Sequence, residues 1–189
     1  IPINERAAIR VVGWEKYDAG YVDNVLGTRT FPSWDIDSGG NGTIDNADRA
    51  DDDYNDAHTF GARAALGIDL NENWTITPQL MAQKVVASGS TGWDPSVGDL
   101  EVTHFYNESS KDRWSQAALT VEGKIANFDL VYAGAYMFRD VDSAYDYSEY
   151  SYWYDSLYAY GNYWLDNDGN PIDISQYVQS QNNFTRVTQ

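Results

Sequence analysis

Apolar and polar residues alternate with a period of two along several stretches of the chain. The clearest stretch runs from Phe60 to Leu70, where every even-numbered residue is apolar. Because a β-strand points successive side chains to opposite faces, this pattern predicts a strand with one apolar face. A helix built from the same residues would have no continuous apolar stripe.

Four further stretches predict strands of the same kind. The alternation covers about Trp74 to Val85, residues 116–125 and residues 128–138, and a less regular stretch covers about Ala7 to Tyr17. Pro78 lies inside the first of these four stretches. Since proline cannot donate a ladder hydrogen bond, it predicts a bulge or a local break there.

The connections between the predicted strands are alternately short and long. Residues 71–73 and 126–127 predict tight turns, whereas residues 18–57, 88–111 and 141–184 predict long loops. This layout is typical of an antiparallel meander with tight turns at one end and long loops at the other. We therefore expect an all-β fold, an up-and-down meander of about five to six strands within a larger transmembrane β-barrel that has long extracellular loops.

Aromatic residues lie near both ends of the predicted strands. Trp74 and Phe128 directly follow the tight turns. Near the long loops are Trp14, Tyr17, Tyr136 and Phe138. Membrane barrels carry aromatic girdles at both membrane–water interfaces, and these two groups predict such girdles.

Charge and residue content exclude several classes of function. The net charge is −17, which is unsuited to nucleic acid or to an anionic membrane leaflet. There is no cysteine, and the only histidines are His58 and His104, so a zinc centre is not expected. The sequence shows no nucleophile elbow, phosphate loop or HExxH motif, so we expect no enzymatic activity and no nucleic-acid partner.

The first long loop contains a segment similar to a calcium-binding loop. Its oxygen-bearing side chains follow the spacing of such a loop around Gly42, although Gly39 offers no ligand at the third position. An ordinary acidic surface loop is the competing interpretation. The candidate ligands of this calcium site, the one cofactor that the sequence suggests, are Asp37, Asn41, Asp45 and Asp48.

The last long loop is rich in aromatic and acidic residues. Flat amphipathic rings can stack on sugars or other planar ligands, and carboxylates can bind sugar hydroxyls. Alternatively, the rings pack on one another and hold the loop together. The candidate substrate-binding residues are Tyr150, Tyr152, Trp153, Tyr154, Tyr158, Tyr160 and Trp164.

Short motifs occur in a fixed order along most of the chain. They are PINERAAIR at 2–10, GW at 13–14, GYVDN at 20–24, GTRT at 27–30, DDYND at 52–56, GARAAL at 61–66, WTITP at 74–78 and GDL at 98–100. In this order and spacing the chain resembles the early barrel strands of TonB-dependent outer-membrane receptors.

The resemblance implies a barrel of about 22 strands, closed by an N-terminal plug domain, in the bacterial outer membrane. Residues 1–189 would then be a fragment of a single transmembrane β-barrel domain, without the plug domain and the remaining strands. The implied function is TonB-dependent binding and import of a scarce or bulky nutrient, an oligosaccharide or a ferric siderophore. The implied partners are TonB, the plug domain, the substrate and outer-membrane lipid. The alternative is a soluble or surface-attached β-rich binding or adhesion module with calcium-stabilised acidic loops.

Overall fold

The computed structural model describes residues 1–31, 43–158, 167–169 and 179–185. Antiparallel strands dominate it, with one short helix. The strands are β1 (Pro2–Asn4), β2 (Ala7–Asp18), β3 (Asp23–Asn24), β4 (Thr28–Thr30), β5 (Thr43–Asp45), β6 (Ala57–Asn71), β7 (Trp74–Ser88), β8 (Glu101–Val102), β9 (Ser109–Ile125), β10 (Phe128–Asp146) and β11 (Gln179–Thr185), and the helix is α1 (Ser148–Tyr158).

The long strands form one meander. Seven strands pair in the order β1-β2-β6-β7-β9-β10-β11, and every pairing is antiparallel. The predicted tight turns at 71–73 and 126–127 are confirmed, and both lie at the same end of the sheet. The long loops leave from the other end, where they form the small pairs β3–β8 and β4–β5.

The pairing register gives the sheet an apolar face and a polar face. Directly paired residues of neighbouring strands point to the same side. One continuous row across five strands is Val11, Ala64, Leu80, Ala117 and Tyr136. The neighbouring row on the opposite side holds Val12, Arg63, Met81, Gln116 and Met137. The alternation along each strand therefore adds up to two chemically distinct faces of the whole sheet.

The apolar face is the more exposed of the two in the middle of the sheet. Along β9, Ser115, Ala117 and Leu119 on the apolar face are exposed, whereas Gln116 and Thr120 on the polar face are partly shielded. Seven large apolar residues of the alternating stretches share the apolar face, and none of them is buried: Leu66, Ile68, Leu80, Leu119, Val121, Leu130 and Tyr132.

The buried apolar side chains lie in the loops. Within the described residues they are Val22, Phe31, Val102 and Phe105, and none belongs to the seven-stranded sheet. Phe31 packs with partly buried side chains from the first, second and third long loops. Among the described residues, the hydrophobic core therefore lies in the loops and includes no side chain of the seven-stranded sheet.

Of the bulge or local break predicted at Pro78, the local break is present and the bulge is not. The β6–β7 ladder lacks the two pairs between Ala65–Gln79 and Ile68–Ile76, where Pro78 lies, but the register is the same on both sides. The shift of register lies between Asp69 and Asn71, beside the tight turn. On its other side Pro78 pairs in register with Leu119. The sheet thus accepts the missing amide donor of Pro78 without a change of register.

The placement of Trp14 in an aromatic girdle is also wrong. Trp14 pairs with Gly61, which puts its side chain on the polar face. The indole lies across Gly61, so that a Cβ added there would meet the ring, and its Nε1–H donates to Gln83 Oε1 at 3.1 Å. A tryptophan that needs a hydrogen-bond acceptor thus finds it on the face that carries amides and hydroxyls.

Candidate functional site

The long loops meet at one end of the sheet and are tied together by buried amide side chains. Asn24 Oδ1 accepts the backbone N–H of His104 at 2.8 Å, and Asn24 Nδ2 donates to the His104 carbonyl at 3.0 Å. Asn55 Oδ1 accepts the N–H groups of Tyr21 and Val22 at 2.7 and 2.9 Å. These amides satisfy backbone groups that irregular segments would otherwise leave unpaired.

A hydrogen-bonded cluster of Tyr54, His104 and Glu108 lies beneath the same loops. His104 Nδ1 is 2.8 Å from Glu108 Oε2, and the Tyr54 hydroxyl donates to the same oxygen at 3.2 Å. The Glu108 side chain is only 5% exposed. Glu108 Oε1 accepts the backbone N–H of Asp146 at 3.1 Å, so the cluster joins the first and second loops to the end of β10.

The His104–Glu108 contact shifts both groups towards their charged forms. Burial opposes the charge on His104, but the hydrogen bond and charge of Glu108 outweigh it and raise the pKa of His104. Burial likewise opposes the Glu108 carboxylate, yet the hydrogen bond and charge of His104 outweigh it and lower the pKa of Glu108. Burial raises the pKa of the Tyr54 phenol far above its usual value, so Tyr54 stays a neutral donor.

Asp146 fixes the start of the helix. One carboxylate oxygen accepts the N–H groups of Phe105 and Tyr106 at 2.6 and 3.2 Å. The other accepts the N–H of Ser148 at 2.7 Å and also the Ser148 hydroxyl. A carboxylate that accepts the first amides of a helix stabilises its N-terminus. Asp146 therefore sets where α1 leaves the sheet.

Helix α1 presents a set of exposed rings that we call the aromatic ladder: Tyr147, Tyr150 and Trp153. Tyr147 and Tyr150 contact edge to face at 6.3 Å between centroids, and Tyr150 stacks with Trp153 at 6.4 Å. All three side chains are exposed. Two residues of the predicted substrate-binding set, Tyr150 and Trp153, thus belong to one exposed surface.

Tyr152 points the other way. Its ring packs edge to face against the buried Phe31, and the Arg29 guanidinium lies 4.5 Å from the ring centroid. Arg29 also forms an ion pair with Glu149. This arrangement is a structural anchor of α1 on the first loop. Tyr154 and Tyr158 lie within α1, whereas Tyr160 and Trp164 lie outside the described residues.

A cavity of about 220 Å³ opens beside the helix. Trp93, Asp94, His104 and Glu149 are among the residues that line it. Burial raises the pKa of Glu149, and the Arg29 guanidinium opposes this shift. An exposed indole beside two carboxyl groups offers a stacking surface and hydrogen-bond acceptors, which together suit a hydroxylated ring.

The structure places only part of the predicted calcium loop. Asp45 ends β5, where its Oδ1 accepts the N–H of Ala47 at 3.0 Å, and Asp48 is exposed. Asp37 and Asn41 lie outside the described residues, so calcium binding stays a prediction. In the described ranges, no group of three or more acidic, histidine or cysteine residues could hold a metal ion.

The comparisons with known proteins give no relative. No family model, no curated protein and no solved structure matches the chain. In the part of the chain that the structure describes, no helix has the length and apolar character needed to cross a membrane.

The loop cluster should be most ordered in mildly acidic solution. The raised pKa of His104 adds stability below its usual value of 6.5, and this contribution is lost as pH rises through the higher folded-state pKa. The lowered pKa of Glu108 adds stability above its usual value of 4.5, and this is lost as pH falls through the lower folded-state pKa. We expect the amides of residues 100–108 to have their highest protection factors, meaning exchange rates corrected for the intrinsic effect of pH, between these two values.

His104→Gln should abolish the loss of protection on the alkaline side, because glutamine does not titrate. His58→Gln is the matched control: it replaces the other histidine, which pairs with Glu15 on β2, and should leave the profile unchanged. An unchanged profile in His104→Gln would rule out the His104–Glu108 contact as its cause.

Proposed function

We propose that this chain is part of the β-barrel of a TonB-dependent outer-membrane receptor that binds and imports a scarce or bulky nutrient. The exposure pattern of the sheet supports this proposal more than any other observation. A soluble sheet covers its apolar face and leaves its polar face in water. Here Leu80 is 66% exposed on the apolar face, while along β9, in the middle of the sheet, the polar face is the more shielded. Lipid outside a barrel would suit the apolar face, and a water-filled or plugged interior would suit the polar face.

The dimensions of the apolar face fit a bilayer. Phe128 lies on this face of β10 beside the tight turn, and Phe138 lies on it eight residues before the loop end of the strand. The strand advances about 33 Å between them at roughly 3.3 Å per residue. A tilt of about 40° reduces this rise to roughly 25 Å, which is the height of the apolar band in outer-membrane barrels.

The loop end of the sheet would be the ligand-binding side. The aromatic ladder offers exposed rings, and the neighbouring cavity adds Trp93, Asp94 and Glu149. The net charge of −17 argues against capture of a strongly anionic ligand by charge alone. These features favour an oligosaccharide as the nutrient, with a ferric siderophore as the second class.

Replacing Leu119 with arginine tests the membrane orientation. Leu119 pairs with Gly134, about midway between Phe128 and Phe138, so its side chain would lie near the centre of the bilayer. Leu119→Arg should lower the free energy of unfolding from lipid vesicles by about 2–4 kcal/mol. Thr120→Arg is the matched control, because it adds the same charge at the same height on the polar face, and it should cost much less.

Equal losses in the two variants would contradict the assigned faces. Full solubility of the protein without lipid or detergent would instead favour the soluble or surface-attached binding module.

Replacing Trp153 with alanine tests the aromatic ladder as a ligand surface. Loss of one stacked ring should weaken oligosaccharide binding by about 1 kcal/mol, roughly fivefold in Kd. Trp153→Phe keeps a flat ring and should retain most of the affinity. The measurement is a titration of the full-length receptor, with limited proteolysis of the loops run in parallel. Unchanged affinity combined with faster cleavage in Trp153→Ala would make the ladder a scaffold.

A further inference from the structure

Two cations occupy directly paired positions on the apolar face, near its loop end. Lys84 on β7 pairs directly with Arg113 on β9, and both side chains point to the apolar side. Like charges directly opposite each other destabilise an antiparallel pair. A chain with 12 basic and 29 acidic residues has no shortage of acidic residues that could have been paired with either cation. An anion that bound both cations would relieve this repulsion.

The groups around the two cations neutralise them only in part. Arg113 lies 3.5 Å from Asp140, but both side chains are largely exposed, which makes such an ion pair weak. The Lys84 ammonium lies 5.7 Å from the centroid of the Phe60 ring, and in the described residues no carboxylate is within ion-pair distance of it.

Three other charged groups lie on this face near the cations. Glu15, in the same row as Lys84, contacts His58. Lys111 on β9 and Asp142 on β10 are directly paired in the strand register, in the next row towards the loops. A third cation is thus close to Lys84 and Arg113.

A groove lies directly beside the two cations. Its floor is a row of small residues, Gly13, Ala62, Ala82 and Ser115, which are neighbours on four successive strands. Phe138 closes the row at β10. The side nearest the loops is lined by Phe60, by the two cations Lys84 and Arg113, and by the carboxylates Glu15 and Asp140. The groove has a volume of about 1150 Å³. A second depression of about 450 Å³ continues it towards the tight turns, over Ala64, Leu80 and Ala117.

We propose that this groove binds a phosphorylated lipid of the surrounding membrane. The phosphate would lie between Lys84 and Arg113, and an acyl chain would extend over the small-residue floor towards Leu80. The order of the features matches such a molecule, because the cations lie towards the loops and the apolar floor towards the middle of the sheet. The inference rests on the proposed membrane orientation, since only a lipid-facing surface would meet such a ligand.

The test is lipid binding to the purified, delipidated full-length receptor, measured by native mass spectrometry. The probe is dioleoyl phosphatidic acid, compared with dioleoylglycerol, which lacks the phosphate, and with inorganic phosphate, which lacks the chains. We expect phosphatidic acid to bind at least tenfold more tightly than either. The double variant Lys84→Gln/Arg113→Gln should lose at least tenfold in affinity for it.

Two further variants separate headgroup from chain recognition. Ala82→Phe fills the floor of the groove but keeps both cations, and it should also weaken binding at least tenfold. Lys124→Gln removes a cation at the tight-turn end of β9, where it pairs with Asp129, and should leave binding unchanged. Undiminished binding in the double variant or in Ala82→Phe would overturn the proposal, and so would equal binding of dioleoylglycerol.

Carbonate extraction of the membranes distinguishes a failure of the lipid-groove proposal from a failure of the barrel proposal. A retained receptor whose lipid binding ignores Lys84, Arg113 and Ala82 refutes the lipid groove and leaves the barrel proposal standing. A receptor that carbonate releases refutes both.

Discussion

An apolar sheet face that no other described part of the chain covers is the constraint on which the rest of this structure depends. Burial of apolar surface is the dominant favourable term in folding, and soluble sheets obtain it by packing one face against a second layer. Here the buried apolar side chains lie among the loops, and residues such as Leu80 remain exposed on the sheet. In the proposed barrel, this face would lie against a lipid bilayer.

The two ends of the sheet follow from this constraint in different ways. In the proposed barrel, the short connections at the tight-turn end would lie at one surface of the membrane. At the other end the loops have a core of their own, which Phe31, Phe105 and the cluster around Glu108 provide. Because β10 continues into this core through Asp146, the loop site is held in a defined position relative to the sheet.

The alternation of apolar and polar residues predicted the elements that depend only on residues close together in the sequence. Alternation with a period of two predicted the long strands, their faces and the two tight turns, since a strand's side-chain direction depends only on position parity. It did not predict α1, because tyrosine, tryptophan, serine and aspartate are poor helix formers and the helix depends on its cap at Asp146.

Contacts distant along the chain were beyond the sequence pattern. The Trp14–Gln83 hydrogen bond joins residues 69 positions apart, and the Asn24–His104 bonds join residues 80 positions apart. By contrast, the pairing of Lys84 with Arg113 follows directly from the register of β7 with β9. Once that register is known, the alternation of side chains along each strand places both residues on the same face.

Lipid contact of the two faces, measured position by position, tests the central claim most directly. The chain has no cysteine, so a single cysteine placed at each of residues 116–121 can be labelled with one fluorophore. Nitroxide-labelled lipids should quench the probes at 117, 119 and 121 and leave those at 116, 118 and 120 nearly unaffected. Quenching without this alternation, or stronger quenching at the even-numbered positions, would contradict a membrane-embedded sheet with its apolar face in lipid.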